Sequence, residues 1–252
     1  MTEGAPSLPE GFFLHHYATI GSTSDEARRV ARAGAPAGTL IWSDAQQAGR
    51  GRRGRSWQSP PGNLYLSLVL RPDASPSCAP QLGFVAALAL ADAVEQCVGP
   101  GSPLGFKWPN DVLADRAKLA GILLESEMAA GGRLDFVVLG VDVNLVSAPR
   151  DLEYPATSLA DHGFTITPAS LLEAFVEHFA DWAERWREEG FVPVRAAWLN
   201  RARGIGEAVR VRLERLTLDG RFLDLDEDGA LILEASDGRR RIAAGEVFPA
   251  FG

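Results

Sequence analysis

The chain has 252 residues, 46% of them hydrophobic and 23% charged, with 33 acids against 25 bases for a formal net charge of −8. Those proportions are globular, which excludes disorder as a description of the whole chain, and the acidity argues against a nucleic-acid coat. The length suits one large domain, or a large one with a small companion. In chain order, residues 12–20 read as a strand, and Gly21 to Glu26 open a helix in which Thr23 and Glu26 fit a capping box and Gly34 is the stop. Residues 39–43 are a short buried strand, the glycine-, arginine- and proline-punctuated stretch from Ala48 to Asn63 is a loop, and 64–70 is a strand. Residues 80–97 form a largely buried helix, and strands follow at 104–108, 112–114, 119–125 and 134–145. A long amphipathic helix spans 168–189, with Phe175, Phe179, Trp182 and Trp186 as a packing stripe and Gly190 just past its end.

From about residue 204 the texture changes to short strands, with Asp219-Gly220, Asp228-Gly229 and Asp237-Gly238 expected as hairpin turns and Gly204-Ile205-Gly206 as a hinge. The expected division is 1–203 and 204–252: a mixed α+β domain rather than a strict βαβ repeat, carrying a small β-barrel-like domain. No apolar run is expected to reach the ~18–20 residues of a membrane span. The N-terminal MTEGAPSLPEGFF lacks a basic stretch ahead of an apolar core, so no secretory signal is expected. Cys78 and Cys97 have no metal spacing and point to a reducing compartment, so a cytoplasmic protein is expected.

Four segments can carry chemistry. Gly49-Arg50-Gly51-Arg52-Arg53-Gly54-Arg55 holds four Arg and no acid. Its glycines allow close backbone approach, and its guanidinium groups supply forked donors for phosphate or carboxylate. An arginine patch on RNA, with Trp57 stacking on a base, is the other reading. The loop also matches G-x-G-x-x-G, but Ser59-Pro60-Pro61-Gly62 follow where a dinucleotide fingerprint needs a helix. In Lys107-Trp108-Pro109-Asn110-Asp111, Pro109 forces Trp108 toward extended backbone at a strand end. Asn110 and Asp111 then project from a turn, suited to Mg²⁺ with substrate phosphates or simply to turn chemistry.

Lys118 stands at the start of KLAGILLES, where an ammonium could enter a site and Gly121 would let a ligand approach the strand. Asn144 ends the strand GVDVN as a donor and acceptor, or as a turn former. Of the 25 bases 23 are Arg, and the only lysines, Lys107 and Lys118, fall 11 residues apart in two of these segments. His15, His16, His162 and His178 match no metal-ligand pattern.

Taken in order, Ser22-Thr23-Ser24, Gln46 to Trp57, Lys107 to Asp111, Lys118 to Leu123 and Gly140 to Asn144 resemble the biotin protein ligases over nearly the whole chain. The resemblance implies a catalytic core related to class II aminoacyl-tRNA synthetases and an SH3-like C-terminal domain. It implies an ATP-dependent enzyme that forms biotinyl-5′-AMP and passes biotin to a lysine of a biotin carboxyl carrier protein. It implies biotin contacts from Ser22, Thr23, Ser24 and Gln46, and a loop of Arg50, Gly51 and Arg52 closing over biotin and the adenylate.

By the same resemblance Lys118 and Arg52 are catalytic, with Lys118 also on the biotin. Arg55, Trp57, Lys107, Asn110, Asp111 and Asn144 belong to the ATP side, and Asp111 to the Mg²⁺. Two positions depart from the family pattern: Ser24 stands where Asn is frequent, and Asp142 makes its strand more polar than usual. With 21 residues ahead of Ser22, a ligase without DNA binding is expected, with no membrane partner, and the resemblance is compatible with a homodimer. The rivals are a lipoate or octanoate ligase or transferase of the same fold, and an RNA-binding module built on the arginine loop.

Overall fold

The computed structural model describes residues 6–102, 104–150 and 154–249. The first five and last three residues of the expected two-domain division lie outside the described residues.

A seven-stranded sheet in the order β1-β2-β3-β7-β6-β5-β4 carries the larger part of the chain. Its strands are β1 (Phe13–Tyr17), β2 (Thr39–Ser43), β3 (Leu64–Leu70), β4 (Leu104–Lys107), β5 (Asp111–Ala114), β6 (Ala117–Met128) and β7 (Leu134–Val143). β1 and β2 pair in parallel across the helix α1 (Thr23–Arg32), and every other neighbour is antiparallel. β2 and most of β3 are buried on both faces, so they read as continuous apolar runs rather than alternating ones.

Alternation divides the sheet's two faces. Leu64, Leu66 and Leu68 of β3, Leu139, Val141 and Val143 of β7, and Ala120 and Ile122 of β6 face the main core. There they meet α2 (Gln81–Val98), α3 (Pro168–Glu189) and α4 (Phe191–Arg201). The other face packs Ile41, Val69, Phe136 and Val138 against Ala27 and Ala31 of α1. Beyond α1 this same face carries Tyr65, Ser67, Gly121, Gly140 and Asp142, side by side in the strand registers. There the apolar residues give way to polar and small ones, and a cavity opens.

The second sheet, in the order β11-β10-β9-β8-β12, is antiparallel throughout. It comprises β8 (Ala208–Arg212), β9 (Thr217–Leu225), β10 (Leu231–Ala235), β11 (Gly238–Ile242) and β12 (Glu246–Pro249). Its inward residues, among them Val211, Phe222 and Leu233, join the core cluster of the large domain. Trp108 Nε1 donates to the Gly229 carbonyl at 3.0 Å, which ties the KWPND segment to the small domain. The expected hinge at 204–206 is pinned: Arg203 N donates to Phe106 O and Gly206 N to Phe222 O.

Several expectations are corrected. Ser22, not Thr23, caps α1; its Oγ accepts from Asp25 N, while Thr23 Oγ1 turns to Gln46. Asp219-Gly220 lies inside β9 rather than in a turn, and the chain reverses instead at Leu213–Leu216. α4 and β12 escaped the sequence reading. α4 follows α3 across Gly190 alone (φ 75°), and it buries Phe191, Val194 and Trp198 at helical spacing. Residues Pro76–Val98 have a mean hydropathy of 1.5 over a membrane-length window, against the expectation of no such run. Of that window 78% is buried inside the protein, so the segment is a core helix.

Candidate active site

The chain's two lysines converge on one carboxylate. Lys118 Nζ lies 2.6 Å from Asp111 Oδ1, and Lys107 Nζ lies 2.8 Å from Asp111 Oδ2. Lys107 and Asp111 end β4 and begin β5, paired across the tight turn that Trp108-Pro109-Asn110 makes. Lys118 reaches them through an irregularity. Asp111 pairs with Gly121 and Val112 with Ala120, but Leu113 pairs with Lys118, leaving Leu119 as an extra residue. Strict alternation would turn Lys118 to the side of Ala120 and Ile122. The bulge returns it to the face of Gly121 and Asp111, and sends Leu119 into the core.

Burial alone would raise the Asp111 carboxyl. The ammonium groups of Lys118 and Lys107 more than reverse that and hold it below the ordinary carboxylate value. Lys107 also stands over the Tyr154 ring at 4.0 Å and the Phe248 ring at 5.5 Å, and Lys118 over Trp57 at 5.2 Å.

Around this triad lies a cavity of about 260 Å³. It is lined by Arg50, Gly51, Arg52, Arg55 and Trp57 of the loop, by Lys107, Asn110, Asp111 and Lys118, and by Ser24, Gly121, Gly140 and Asp142. Tyr154 and the β12 residues Glu246 and Phe248 also line it; no local motif marks these three. The arginine loop folds onto itself through Gly51 N to Arg55 O (2.7 Å) and Trp57 N to Gly49 O (2.9 Å). No helix follows it, in keeping with the rejection of a dinucleotide fingerprint.

Three of the loop's four guanidinium groups hold partners. Arg50 bonds Asp25 and Glu125, Arg52 bonds Asn110 Oδ1 at 2.9 Å, and Arg55 bonds Glu246 at 2.7 Å. Burial, with Arg53 beside it, holds the Arg52 guanidinium below its usual value. Arg53 alone of the four is exposed with no hydrogen-bond or ion-pair partner among the described residues, so little of the loop's charge is left free for RNA. Trp57 packs toward Lys118 and Gly121, with its Nε1 buried and unpartnered among the described residues.

The remaining expected residues separate into two groups. Gln46 Oε1 accepts from Thr23 N (2.9 Å) and Thr23 Oγ1 (3.1 Å), and a hydroxyl chain runs on through Ser67 to Ser24. Of these, Ser24 lines the cavity, and Gln46 reaches the lining residue Asp142; Ser22 and Thr23 do not line it. Asn144 does not line it. Its Nδ2 donates to Thr157 O, its backbone joins Leu119 and Leu159, and its Oδ1 is buried without a partner among the described residues.

A resident Mg²⁺ does not fit the donor set. Both oxygens of Asp111 are taken by ammonium groups, and no cluster of three or more His, Cys, Asp or Glu occurs among the described residues. In this arrangement Asp111 offers no free oxygen to a cation.

Gly121 sets the cavity's width. A Cβ there would stand 3.0 Å from Trp57 Cζ3 and 3.4 Å from Lys118 Nζ. Gly121→Val is expected to weaken substrate binding about 10–100-fold, the equivalent of about 1–3 kcal/mol of overpacking. Calorimetric titration measures it, and an unchanged Kd would show that this wall does not touch substrate.

Cations gathered around an enclosed cavity suit the joining of two anions, and the α+β core that holds them is that of the class II synthetase-like ligases. Residues 54–200 match the biotin/lipoate A/B protein ligase family, and residues 204–248 match the biotin protein ligase C terminal domain. The chain is 41% identical over 237 residues to a biotin–[acetyl-CoA-carboxylase] ligase of Paracoccus denitrificans, covering 92% of this chain and 98% of that one. It resembles the biotin protein ligase of Aquifex aeolicus in complex with biotin and ATP, with a TM-score of 0.79 and 26% identity over 93% of this chain and 97% of the other. It also resembles the Leishmania major biotin protein ligase in complex with biotinyl-5-AMP, with a TM-score of 0.66 and 26% identity over 94% and 98%. The chain belongs to the biotin protein ligases.

Proposed function

We propose that this chain joins biotin to ATP as biotinyl-5′-AMP and then transfers the biotin to a lysine of a carboxylase's biotin carrier domain. The observation that carries this reading is the pair of lysines locked on Asp111 beside the arginine loop. In the first step a biotin carboxylate oxygen attacks the α-phosphorus of ATP, an O–P bond forms, and pyrophosphate leaves with the electron pair of the broken P–O bond. Both reactants are anions and repel each other. Lys118 and Arg52 offset that repulsion, and their charge gains weight where water is excluded. Asp111 keeps the Lys118 ammonium on the cavity side.

In the second step the amine of the acceptor lysine attacks the acyl carbon of the mixed anhydride, an amide forms, and AMP leaves. The acceptor's proton passes to solvent or to the departing phosphate. The loop from Arg50 to Trp57 keeps water from the anhydride between the two steps. Arg55 and Lys107 face the polyphosphate, and the hydroxyl chain from Gln46 to Ser24 faces the head group of biotin.

The rivals differ in what they would convert. Biotin-dependent exchange of labelled pyrophosphate into ATP tests the first step. Exchange with biotin and none with lipoate or octanoate is expected; exchange with lipoate alone would replace this reading. Salt-dependent binding of oligonucleotides is not expected, since three of the loop's four arginines are engaged by acids or by Asn110.

A further inference from the structure

Asp142 stands on the cavity floor at a place that nothing else in the site explains. It lies on β7, paired with Tyr65 on one side and Gly121 on the other, and Gly140 precedes it on the same face. The two glycines leave its carboxyl open to the cavity, and the residue is half-buried. Its one hydrogen-bond partner among the described residues is Gln46, whose Nε2 approaches Oδ1 at 3.4 Å. The orientation of that amide is fixed, because the Thr23 N–H can donate only to Gln46 Oε1. Nε2 therefore points at Ser59 and Asp142, Oδ1 is an acceptor, and any proton on the carboxyl belongs to Oδ2. Oδ2 has no hydrogen-bond partner among the described residues.

Burial pushes the Asp142 carboxyl up to about 8, with Lys118 and Gln46 opposing this only in part. At neutral pH it is thus a carboxylic acid, with an O–H donor on one oxygen and spare acceptor capacity on the other. The groups that face it are Lys118 from β6 and Tyr65 from β3, whose hydroxyl is spent on Pro60 O. From α1 comes the uncharged Ser24, and from the loop Trp57. A half-partnered acid in such a place costs folding stability, because the unfolded chain ionises it freely between about pH 4 and 8. Its chemistry is that of a reader of ligand rather than of a structural brace.

We infer that Asp142 positions the substrate's head group, its O–H donating to a carbonyl and its Oδ1 accepting from the adjacent N–H. The cyclic urea of biotin presents that edge, whereas a dithiolane or an alkyl chain does not and would leave the acid unpaired. Asp142 then also serves specificity, since a buried group built for a polar edge penalises a ligand that lacks it. The inference rests on the proposed function and adds the residue that reads the ligand.

The test is the Kd of biotin between pH 6.5 and 9.5, by calorimetry, for the native chain, Asp142→Asn and Asp142→Ala. The carboxamide keeps a donor and an acceptor but cannot ionise. For the native chain the Kd is expected to be flat to about pH 8 and then to rise about tenfold per pH unit, as the binding form is lost. Asp142→Asn is expected to stay within a few-fold of the native Kd at pH 7 and to lack the added rise. Asp142→Ala is expected to bind at least ~10-fold more weakly at pH 7, the scale of two lost hydrogen bonds.

Thermal unfolding of each variant keeps folding separate, and Asp142→Asn is expected to raise Tm more at pH 8 than at pH 5. Parallel pH profiles for the native chain and Asp142→Asn would overturn the inference, as would native affinity in Asp142→Ala; in both cases biotin still binds, so the proposed function stands. Absence of biotin binding by the native chain at pH 7 would overturn both.

Discussion

Lys118→Arg is expected to slow adenylate formation by at least ~10²-fold, the cost of losing one well-placed transition-state donor. The substitution keeps the positive charge, so charge alone would predict little change. Geometry predicts otherwise. The Lys118 ammonium is a compact point charge, 2.6 Å from Asp111 Oδ1 and over the face of Trp57. Gly121 and Trp57 close in behind it. A guanidinium is a wide planar fork, and its second nitrogen would have to occupy the space of that ring or of the substrate. Single-turnover formation of the adenylate, at saturating biotin and ATP, measures the chemical step apart from binding. A rate within a few-fold of native would show that Lys118 does not act on the reacting atoms.

Asp111→Ala is expected to destabilise the fold by about 3–5 kcal/mol, the usual result of removing one member of a buried ion cluster. It leaves two ammonium groups near each other with no carboxylate between them. Lys107 retains the Tyr154 and Phe248 rings, but Lys118 loses the anchor that the bulge in β6 was built to reach. Adenylate formation is expected to fall with it, by a factor comparable to that of Lys118→Arg. Asp111→Asn is expected to recover part of the stability, because the carboxamide oxygen still accepts from one lysine.

The pH dependence follows from the direction of the Asp111 shift. Its folded value lies below the unfolded one, so the stabilisation is present above about pH 4 and is lost as the pH falls through the folded value. Thermal unfolding across pH 3–7 measures this. A Tm difference between native and Asp111→Ala that does not shrink on acidification would contradict the pairing.

Much of the scaffold is legible in the residues. β2, β3 and α3 have their predicted bounds because each is framed by strong punctuation: Gly38 and Asp44, Asn63 and Arg71, Thr167 and Gly190. The scarcity of lysine pointed to Lys107 and Lys118 before any geometry was known, and the structure places both on one carboxylate. That convergence was not itself readable. It depends on a bulge at Leu119, and nothing local distinguishes a bulged KLAG from a regular one. Glu246, Phe248 and Tyr154 were missed for a different reason. They reach the cavity through packing between distant segments, and β12 is four residues long with no turn signal of its own.

Asn144 stands apart from the cavity. A polar residue ending an apolar strand looks like a ligand contact, yet here its side chain holds the 157–159 segment to the end of β7. Asp142, which fitted no sequence pattern, is the side chain that the structure leaves open to the cavity.

Incubating the native chain with ATP, a biotin carrier domain, and an equimolar mixture of biotin, lipoate and octanoate tests the central claim most directly. Intact-mass analysis would follow both the small-molecule adenylates and the carrier. The expected result is biotinyl-5′-AMP as the sole acyl-adenylate and a single biotinyl group on the carrier. A lipoyl- or octanoyl-adenylate in its place, or a carrier left unmodified while biotinyl-5′-AMP accumulates, would contradict it.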